Sequence, residues 1–569
     1  MGFRDGTMTQ EARVTAIDPT GLSTIPACLR SAAVDAPDVE AIVDGEVRLT
    51  FAQLDAEVTR FARAAVARGL QPGDRAIVWA PNSARWVVSA LGIMAAGGIL
   101  VPINTRFKGE EARYAIEKVR AAMVVLDDSF LGNGYLQMLR GDSADAAAGP
   151  SRPTAERPVP AVPHVHTVVL LDAAPAKAAA DIGTGAAAEA EPALSYEQFL
   201  AGAAETPVGE IDARIDALSP DDVADILFTS GTTGYPKGAM VTHRSNLLVD
   251  LAWSDMTGLL RADRYLLINP FFHSFGYRAG VLACLIRRAT MLPMATFDVP
   301  ATLRLIETER VTVFPGAPTV YTSLLDHPDF ADHDLSSVRL AVTGATVVPV
   351  PLLHRMRDEL GFRDVITAYG LTETCGTATV CPPDTDEHRI STSCGIAIPG
   401  TEVRIVGSDG IEVPVEQIGE VHVRGYNVML GYFEDEAATA AAVDTDGWMH
   451  TGDVGWMDAD GYLRITDRIK DVVMVGGFNV YPAEVERIIR EHPAVSDVAV
   501  VGEPDERLGE VTSAYVQLRA GAVVTEGELL EFCRGKMANF KQPRRIAFIT
   551  ELPRTPSGKI QKFKLATDS

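Results

Sequence analysis

Between Thr229 and Gly238 the chain reads Thr229-Ser230-Gly231-Thr232-Thr233-Gly234-Tyr235-Pro236-Lys237-Gly238, a run in which nearly every residue suits the gripping of a polyphosphate. Glycines let backbone N–H groups approach an anion, hydroxyl side chains add donors, and Lys237 adds a cation. The spacing is not that of the Walker A loop, G-x-x-x-x-G-K-[ST]: counted from Gly231, Pro236 stands in the place of the second glycine and Gly238 follows the lysine. Readings as a P-loop ATPase or GTPase lose their main support. A flexible surface turn is the plain alternative for a lone glycine pair, but it does not account for a stretch this restricted in composition.

The loop needs elements to hold it. Apolar strand-like runs bounded by Gly and Pro, among them Arg75 to Trp79, Ala224 to Thr229, Leu340 to Thr343 and Val365 to Tyr369, alternate with amphipathic helical windows. That alternation predicts an α/β fold with largely parallel sheets. The loop follows Ile226-Leu227-Phe228 and leads to a helical segment that Thr242 can cap, so an anion would sit near a strand's carboxyl end, where open α/β sheets usually bind ligands. Between Gly141 and Pro192 the composition shifts to Ala, Pro, Gly and Asp, which predicts flexible surface insertions at about 141–163 and 173–191 around one short strand, Thr167 to Leu171. Beyond Lys470 the chain reads as a separate small unit. A helix opens at Pro482 and runs through Glu486 and Ile489, strands lie at Val498 to Val501 and Ser513 to Gln517, and a second helix lies near Leu529 to Arg534.

The decapeptide resembles the phosphate loop of the AMP-forming adenylating enzymes, the superfamily of acyl-CoA synthetases, luciferases and peptide-synthetase adenylation domains. Five further segments match that family in order: Asn269-Pro270-Phe271-Phe272-His273-Ser274-Phe275-Gly276, Tyr369-Gly370-Leu371-Thr372-Glu373-Thr374, Thr451-Gly452-Asp453, the run from Asp467 through Glu486, and Pro553-Arg554-Thr555-Pro556-Ser557-Gly558-Lys559. The resemblance implies a large N-terminal domain, 1–467, that binds ATP and an acyl group on parallel-rich sheets. It also implies a small mobile C-terminal α+β domain, 468–569, hinged near Lys470, and it brings ATP, Mg²⁺ and CoA as cofactors.

Joining a carboxylate to the α-phosphate of ATP brings two anions together, so the site needs cations and fixed donors rather than a strong protein nucleophile. On the resemblance, Thr229, Ser230, Gly231, Thr232, Thr233, Gly234 and Lys237 hold the β- and γ-phosphates. Tyr369 lies along the adenine, Gly344 and Ala345 supply backbone contacts to it, Thr372 bonds the α-phosphate, and Glu373 binds Mg²⁺ as a hard oxygen ligand. Asp453, able to accept at two oxygens, grips the ribose together with Arg468. Lys559 reaches from the small domain to the reacting carboxylate and acts as an electrostatic catalyst. Rotation about Lys470 then withdraws Lys559 and presents Gly476, Gly477, Phe478 and Asn479 beside the pantetheine channel. Met474 and Gly476 stand where plant coumarate ligases have lysines, so those phosphate contacts are not carried over.

The acid is read from the pocket segments. Phe271 to Phe275 offers no aspartate for an α-amine, which argues against an amino-acid substrate. His273 matches the family's gate beside the carboxylate, although a lone histidine among aromatics is more often a satisfied core residue. The run from Asn269 through Cys284, with Tyr277-Arg278-Ala279-Gly280, resembles actinobacterial CoA ligases that activate the indanedione propanoate left from steroid rings. Phe271, Phe272, Phe275 and Tyr277 are candidate apolar pocket surface, and Gly316-Ala317-Pro318-Thr319-Val320-Tyr321 is a second wall. The leading reading is an AMP-forming carboxylate–CoA ligase. The alternatives are a medium- or long-chain fatty acyl-CoA synthetase, a fatty-acyl-AMP ligase that loads a carrier protein, and a nucleotide-binding regulator with a silent site. Joint retention of Lys559, Glu373 and Lys237 argues against the last.

Bulk properties narrow the field further. A chain of 569 residues exceeds what one core normally supports, and its 47% hydrophobic content is ample for several. Fifty-one Lys and Arg against 76 Asp and Glu give a net charge of −25, which opposes nonspecific binding to nucleic acid or anionic lipid. The cysteines Cys28, Cys284, Cys375, Cys381, Cys394 and Cys533 form no C-x-x-C pair, which points to a reducing cytoplasm. No apolar run approaches ~18 residues and no signal-like apolar region follows Met1, so no membrane span is expected. Oligomeric state stays open, a homodimer being one option.

Overall fold

The computed structural model describes residues 23–140, 158–172, 193–229, 236–344, 348–468, 471–475, 478–505, 508–534, 536–537, 539–554 and 560–565. Short runs of Val, Leu and Met build its central strands. Met123–Leu126, Thr167–Leu170 and Leu340–Thr343 are buried at every position, as parallel strands covered on both faces must be.

Among the described residues the strands form four sheets. The eight-stranded sheet runs Gly431–Tyr432, Lys237–Thr242, Val223–Thr229, Ile99–Pro102, Arg75–Trp79, Met123–Leu126, Thr167–Leu170, Leu194–Ser195. From Val223–Thr229 onward all its pairings are parallel. The nine-stranded sheet is parallel through its middle, from Glu40–Asp44 across Thr290–Pro293, Arg264–Leu267, Val313–Pro315 and Leu340–Thr343 to Asp364–Tyr369.

Helices cover these sheets. Phe51–Ala67 starts at Thr50 with a reciprocal capping box to Gln53. It packs so closely on Ala84–Ala95 that a Cβ on Gly92 would stand 2.5 Å from the Phe61 ring. No described helix is long and apolar enough to cross a membrane.

The strands Thr401–Val406, Gly419–Gly425, Met449–Met457 and Leu463–Arg468 make an antiparallel sheet. Past it, Phe478–Val480, Val473–Val475, Gly509–Leu518, Val495–Asp505 and Arg545–Phe548 make the fourth sheet. With the helices Pro482–Arg490 and Glu526–Arg534 this sheet encloses a core of its own around Val485, Ile489, Val498, Val500 and Leu529. The mixed α/β body with parallel-rich sheets and a small α+β unit at the C-terminal end is therefore present.

One expectation changes. The end of the first insertion is anchored: Val159 and Val162 are 0% and 1% exposed and join the core beneath Thr167–Leu170, while Ala161 and Pro163 between and after them stay exposed. The remainder, 141–157, and the second insertion lie outside the described residues. The helix expected after Thr242 is present: the phosphate loop joins two antiparallel strands, Val223–Thr229 and Lys237–Thr242, and Thr242 then caps His243–Thr257, its Oγ1 accepting from Ser245 N–H at 3.0 Å.

Candidate active site

Register sets Thr229 opposite Lys237, so the hairpin closes directly beneath the phosphate loop. Ser230, Gly231, Thr232, Thr233 and Gly234 themselves lie outside the described residues. At Gly238 a Cβ would stand 2.7 Å from Ile226 Cγ2, so a bare residue is what lets the strands pair here.

On the outer side of this hairpin lies Gly431–Tyr432, with Tyr432 opposite Ala239. The Lys237 ammonium sits over the Tyr432 ring, 5.0 Å from its centroid, and the Tyr432 hydroxyl donates to Glu373 Oε1 at 2.8 Å. Burial, then the Glu373 carboxylate, push the phenol well above its ordinary pKa, so it stays a donor. Sequence reasoning missed Tyr432. A tyrosine between a glycine and a phenylalanine carries no local sign of what it will touch.

Glu373 and Thr372 sit on a tight turn at the end of Asp364–Tyr369. A Cβ on Gly370 would stand 2.3 Å from the Gly376 carbonyl oxygen, so only glycine allows the crossing. Leu371 N–H donates to Thr374 Oγ1 at 2.8 Å and Met429 N–H donates to the Glu373 carbonyl at 2.8 Å, which fixes the turn from two sides.

Behind the turn lies an ion pair with side chains 1% and 0% exposed: Arg278 Nη2 donates to Asp225 Oδ1 at 2.6 Å. The same guanidinium donates from Nη1 to the Thr372 carbonyl at 3.3 Å, and Asn246 Nδ2 donates to Asp225 Oδ2 at 2.7 Å. Burial works against the Arg278 charge, but the charge and hydrogen bond of Asp225 together with Cys375 and Tyr277 outweigh it, and the guanidinium holds its proton more tightly than usual. Asp225 belongs to the strand that ends in the phosphate loop, so one buried cation ties that strand to the Thr372 turn. Arg278 itself sits in a π-helical turn, Tyr277–Leu282, a distortion frequent at functional sites.

At the other side of Tyr369, its hydroxyl donates to Asp453 Oδ2 at 2.6 Å. Asp453 is 4% exposed and lies in register with Arg468 across the antiparallel pair. Tyr369 and Asp453 are therefore brought together, with Arg468 in register beside Asp453. Gly344 ends the neighbouring strand, where a Cβ would stand 3.4 Å from Thr367 Oγ1. Ala345, Lys470, Gly477 and Lys559 lie outside the described residues. A bridge between Arg554 and Ile560 brackets the segment that carries Lys559.

His273 caps the short turn Ser274–Gly276, its Nδ1 accepting from Phe275 N–H at 3.2 Å. The residue is exposed; what desolvation it has, and then the Arg278 cation, lower its pKa. The strand end before it is pinned by buried Asn82, which donates to the Leu267 and Asn269 carbonyls at 3.0 and 2.8 Å and accepts from Phe271 N–H at 2.8 Å. Asn82 was not anticipated.

The pocket surface needs correction. Phe271 and Tyr277 are 1% and 0% exposed and pack on Trp86 at centroid distances of 5.0 and 5.9 Å, and Tyr321 turns inward to donate to the Phe314 carbonyl at 2.7 Å. Apolar packing claims these three rings. Phe272 and Phe275 stay half-buried and available. A separate cavity of about 580 Å³, lined by Pro72, Gly98, Glu210, Arg214, Val223 and His243, lies at the amino ends of the strands and holds none of the residues above.

Residues 29–433 match the family model described as AMP-binding enzyme, and 484–559 match that of the AMP-binding enzyme C-terminal domain. A curated protein of Rhodococcus jostii (strain RHA1), named a 7a-methyl-1,5-dioxo-octahydro-1H-inden-4-yl propanoyl:CoA ligase, is 46% identical over 95% of this chain and 98% of its own length. One of the same name from Mycobacterium tuberculosis (strain ATCC 25618 / H37Rv) is 44% identical over 96% of this chain and 98% of its own. The crystal structure of ATP-bound MatB from Rhodopseudomonas palustris superposes with a TM-score of 0.78 at 29% identity, covering 95% of this chain and 98% of that one. With the family model spanning most of the sequence and near-full-length relatives named as CoA ligases, the chain belongs to the AMP-binding enzyme family and is an AMP-forming acid–CoA ligase.

Proposed function

We propose that the acid is a propanoate arm carried on a methylated fused-ring diketone of the kind left when steroid rings are degraded. The observation that carries this is near-full-length identity of 46% and 44% to two ligases named for such an acid. The half-buried Phe272 and Phe275 suit a bulky apolar acyl group.

The reaction would run in two halves. The carboxylate oxygen bonds to the α-phosphorus of ATP as pyrophosphate leaves, and the CoA sulfur then bonds to the acyl carbon as AMP leaves. Thr229, Ser230, Gly231, Thr232, Thr233, Gly234 and Lys237 would hold the β- and γ-phosphates. Tyr432 keeps Lys237 and Glu373 in place beforehand, so charge stabilisation needs no rearrangement. Thr372 would face the α-phosphate, and Asp453 with Arg468 the ribose. Lys559 would neutralise the approaching anions in the first half only, the small domain 468–569 turning near Lys470 between halves. Glu373 fits Mg²⁺: its carboxylate is braced by Tyr432, and one protein carboxylate suffices because the ion keeps waters and phosphate oxygens. Bound there, the ion would offset phosphate charge. A cytoplasmic enzyme suits the free thiols, five of them buried and Cys394 half-buried.

The test is pyrophosphate exchange with a hydrindane propanoate, with and without CoA, followed by product mass. The reading expects exchange without CoA and an acyl-CoA product with it. An acyl-adenylate that CoA does not consume would point instead to a ligase that loads a carrier protein.

A further inference from the structure

On the strand Gly419–Gly425, Glu420 and His422 are two residues apart, so both side chains leave the same face of the sheet. Register then sets His422 opposite His450 on Met449–Met457, which brings a second imidazole to that face, with ring centroids 4.1 Å apart. His422 Nε2 lies 3.2 Å from Glu420 Oε2 and His450 Nδ1 lies 3.9 Å from the same oxygen. All three donor atoms fall within 4.8 Å of one another. The His422 side chain is 4% exposed, and its Nδ1 is buried with no hydrogen-bond partner. The nitrogen left without a partner is Nδ1, whereas Nε2 faces the carboxylate, so the case for an ion rests on the convergence of His422 Nε2, His450 Nδ1 and Glu420 Oε2.

We propose that Glu420, His422 and His450 form a binding site for one divalent transition cation of the zinc class, distinct from the nucleotide's Mg²⁺. Two imidazoles and one carboxylate are donors that favour zinc over magnesium or calcium. Four ligand atoms ~2.1 Å from a common ion stand ~3.4 Å apart, and the observed 3.2 and 3.9 Å bracket that spacing.

The charge around the cluster agrees. Arg404 is the cross-strand neighbour of His422 on its other side, but its guanidinium stacks on Trp448 and lies 4.0 Å from Asp444 Oδ2. Asp444 Oδ2 also lies 3.8 Å from His450 Nε2, where it can orient the imidazole. Arg424 also stacks on Trp448 but pairs with Glu402, so Arg404 and Arg424 stand against Glu420, Asp444 and Glu402 and the surroundings stay net negative. His450, with 39% of its side chain exposed, keeps the cluster open to solvent for entry and for a water ligand. The other oxygen of Glu420 accepts Gly452 N–H at 3.1 Å, one residue before Asp453, so an ion held here would stiffen the loop proposed to hold the ribose.

Full-length chain without an affinity tag, stripped with a chelator, would be titrated with Zn²⁺ against a chromophoric competitor, and bound metal counted by mass spectrometry. One zinc per chain is expected, with a raised melting temperature. His422→Gln and His450→Gln should each weaken binding by about 10- to 100-fold or more. Co²⁺ in place of zinc should give visible bands of a nitrogen and oxygen site. Melting of the metal-free variants at the wild-type temperature would show that the loss is of ligands, and Glu420→Gln gives an independent third variant. Failure of the folded chain to take up zinc stoichiometrically would overturn the proposal. So would retention in the double histidine variant, or a thiolate-to-cobalt band indicating that cysteines hold the metal.

Discussion

The phenol of Tyr432 joins Lys237 to Glu373: the ammonium lies 5.0 Å from its ring centroid and its hydroxyl donates 2.8 Å to the carboxylate. Two residues of opposite charge are thereby kept apart by a neutral spacer that binds each. A direct ion pair would leave neither available to a nucleotide.

Tyr432→Phe keeps the ring under Lys237 and removes only the bond to Glu373. A hydrogen bond to a charged group is worth about 1.5–3 kcal/mol, so adenylation should fall about tenfold or more while the fold is retained. The half-saturating Mg²⁺ concentration should rise with it. An unchanged Mg²⁺ dependence would sink the assigned link between Tyr432 and the metal-binding carboxylate.

Arg278→Met leaves Asp225 buried without its partner, and breaking a buried pair in this way costs about 3–5 kcal/mol. Urea unfolding should register that loss. Because the same guanidinium bonds the Thr372 carbonyl, any folded fraction should adenylate more slowly than its ATP affinity predicts. Stability within 1 kcal/mol of wild type, roughly the range of an exposed pair, would contradict the account.

Acid should weaken the fold through His243, which is buried and accepts from Ile25 N–H at 3.3 Å. Burial pushes its pKa from 6.5 to about 4, with Asp222 opposing. The unfolded chain therefore binds more protons between these values, so stability is complete above 6.5 and is lost as pH falls toward 4, by about 3 kcal/mol in all. Denaturation midpoints followed from neutral pH to about 5 should drop more steeply for wild type than for His243→Asn. Equal slopes would assign the acid sensitivity elsewhere.

Much of this arrangement is legible in the chain. The strands Arg75–Trp79 and Leu340–Thr343 and the helix start at Pro482 follow from apolar runs and their Gly and Pro punctuation. Phosphate-loop residues declare themselves because a polyphosphate needs many small donors in one stretch. Tyr432, Arg278 and Asn82 do not, since each acts on segments remote in sequence: Asn82 pins the carbonyls of Leu267 and Asn269, and Arg278 pins Asp225 and Thr372. Phe271 and Tyr277 read as pocket surface in sequence because an aromatic residue looks the same in a core as in a pocket wall, and only packing on Trp86 separates the two.

Lys559 and Lys470 carry opposite expectations. Lys559→Ala should slow acyl-adenylate formation by ~10²–10³ while transfer to CoA from supplied acyl-adenylate is much less affected. Lys470→Pro, which fixes φ at the hinge, should spare adenylation and slow transfer. Equal damage to both half-reactions in either variant would dissolve the assignment.

The central claim is that this ligase takes a propanoate on a bulky fused ring. Each methylene in an apolar pocket is worth only ~1–3 kcal/mol, so the comparison must be made on kcat/KM rather than on turnover at saturation. AMP release from matched concentrations of a hydrindane propanoate, octanoate, palmitate and benzoate, with ATP and CoA, measures it directly. The account predicts the highest kcat/KM for the hydrindane propanoate; a clear preference for palmitate or octanoate would contradict it and make the enzyme a general fatty acyl-CoA synthetase.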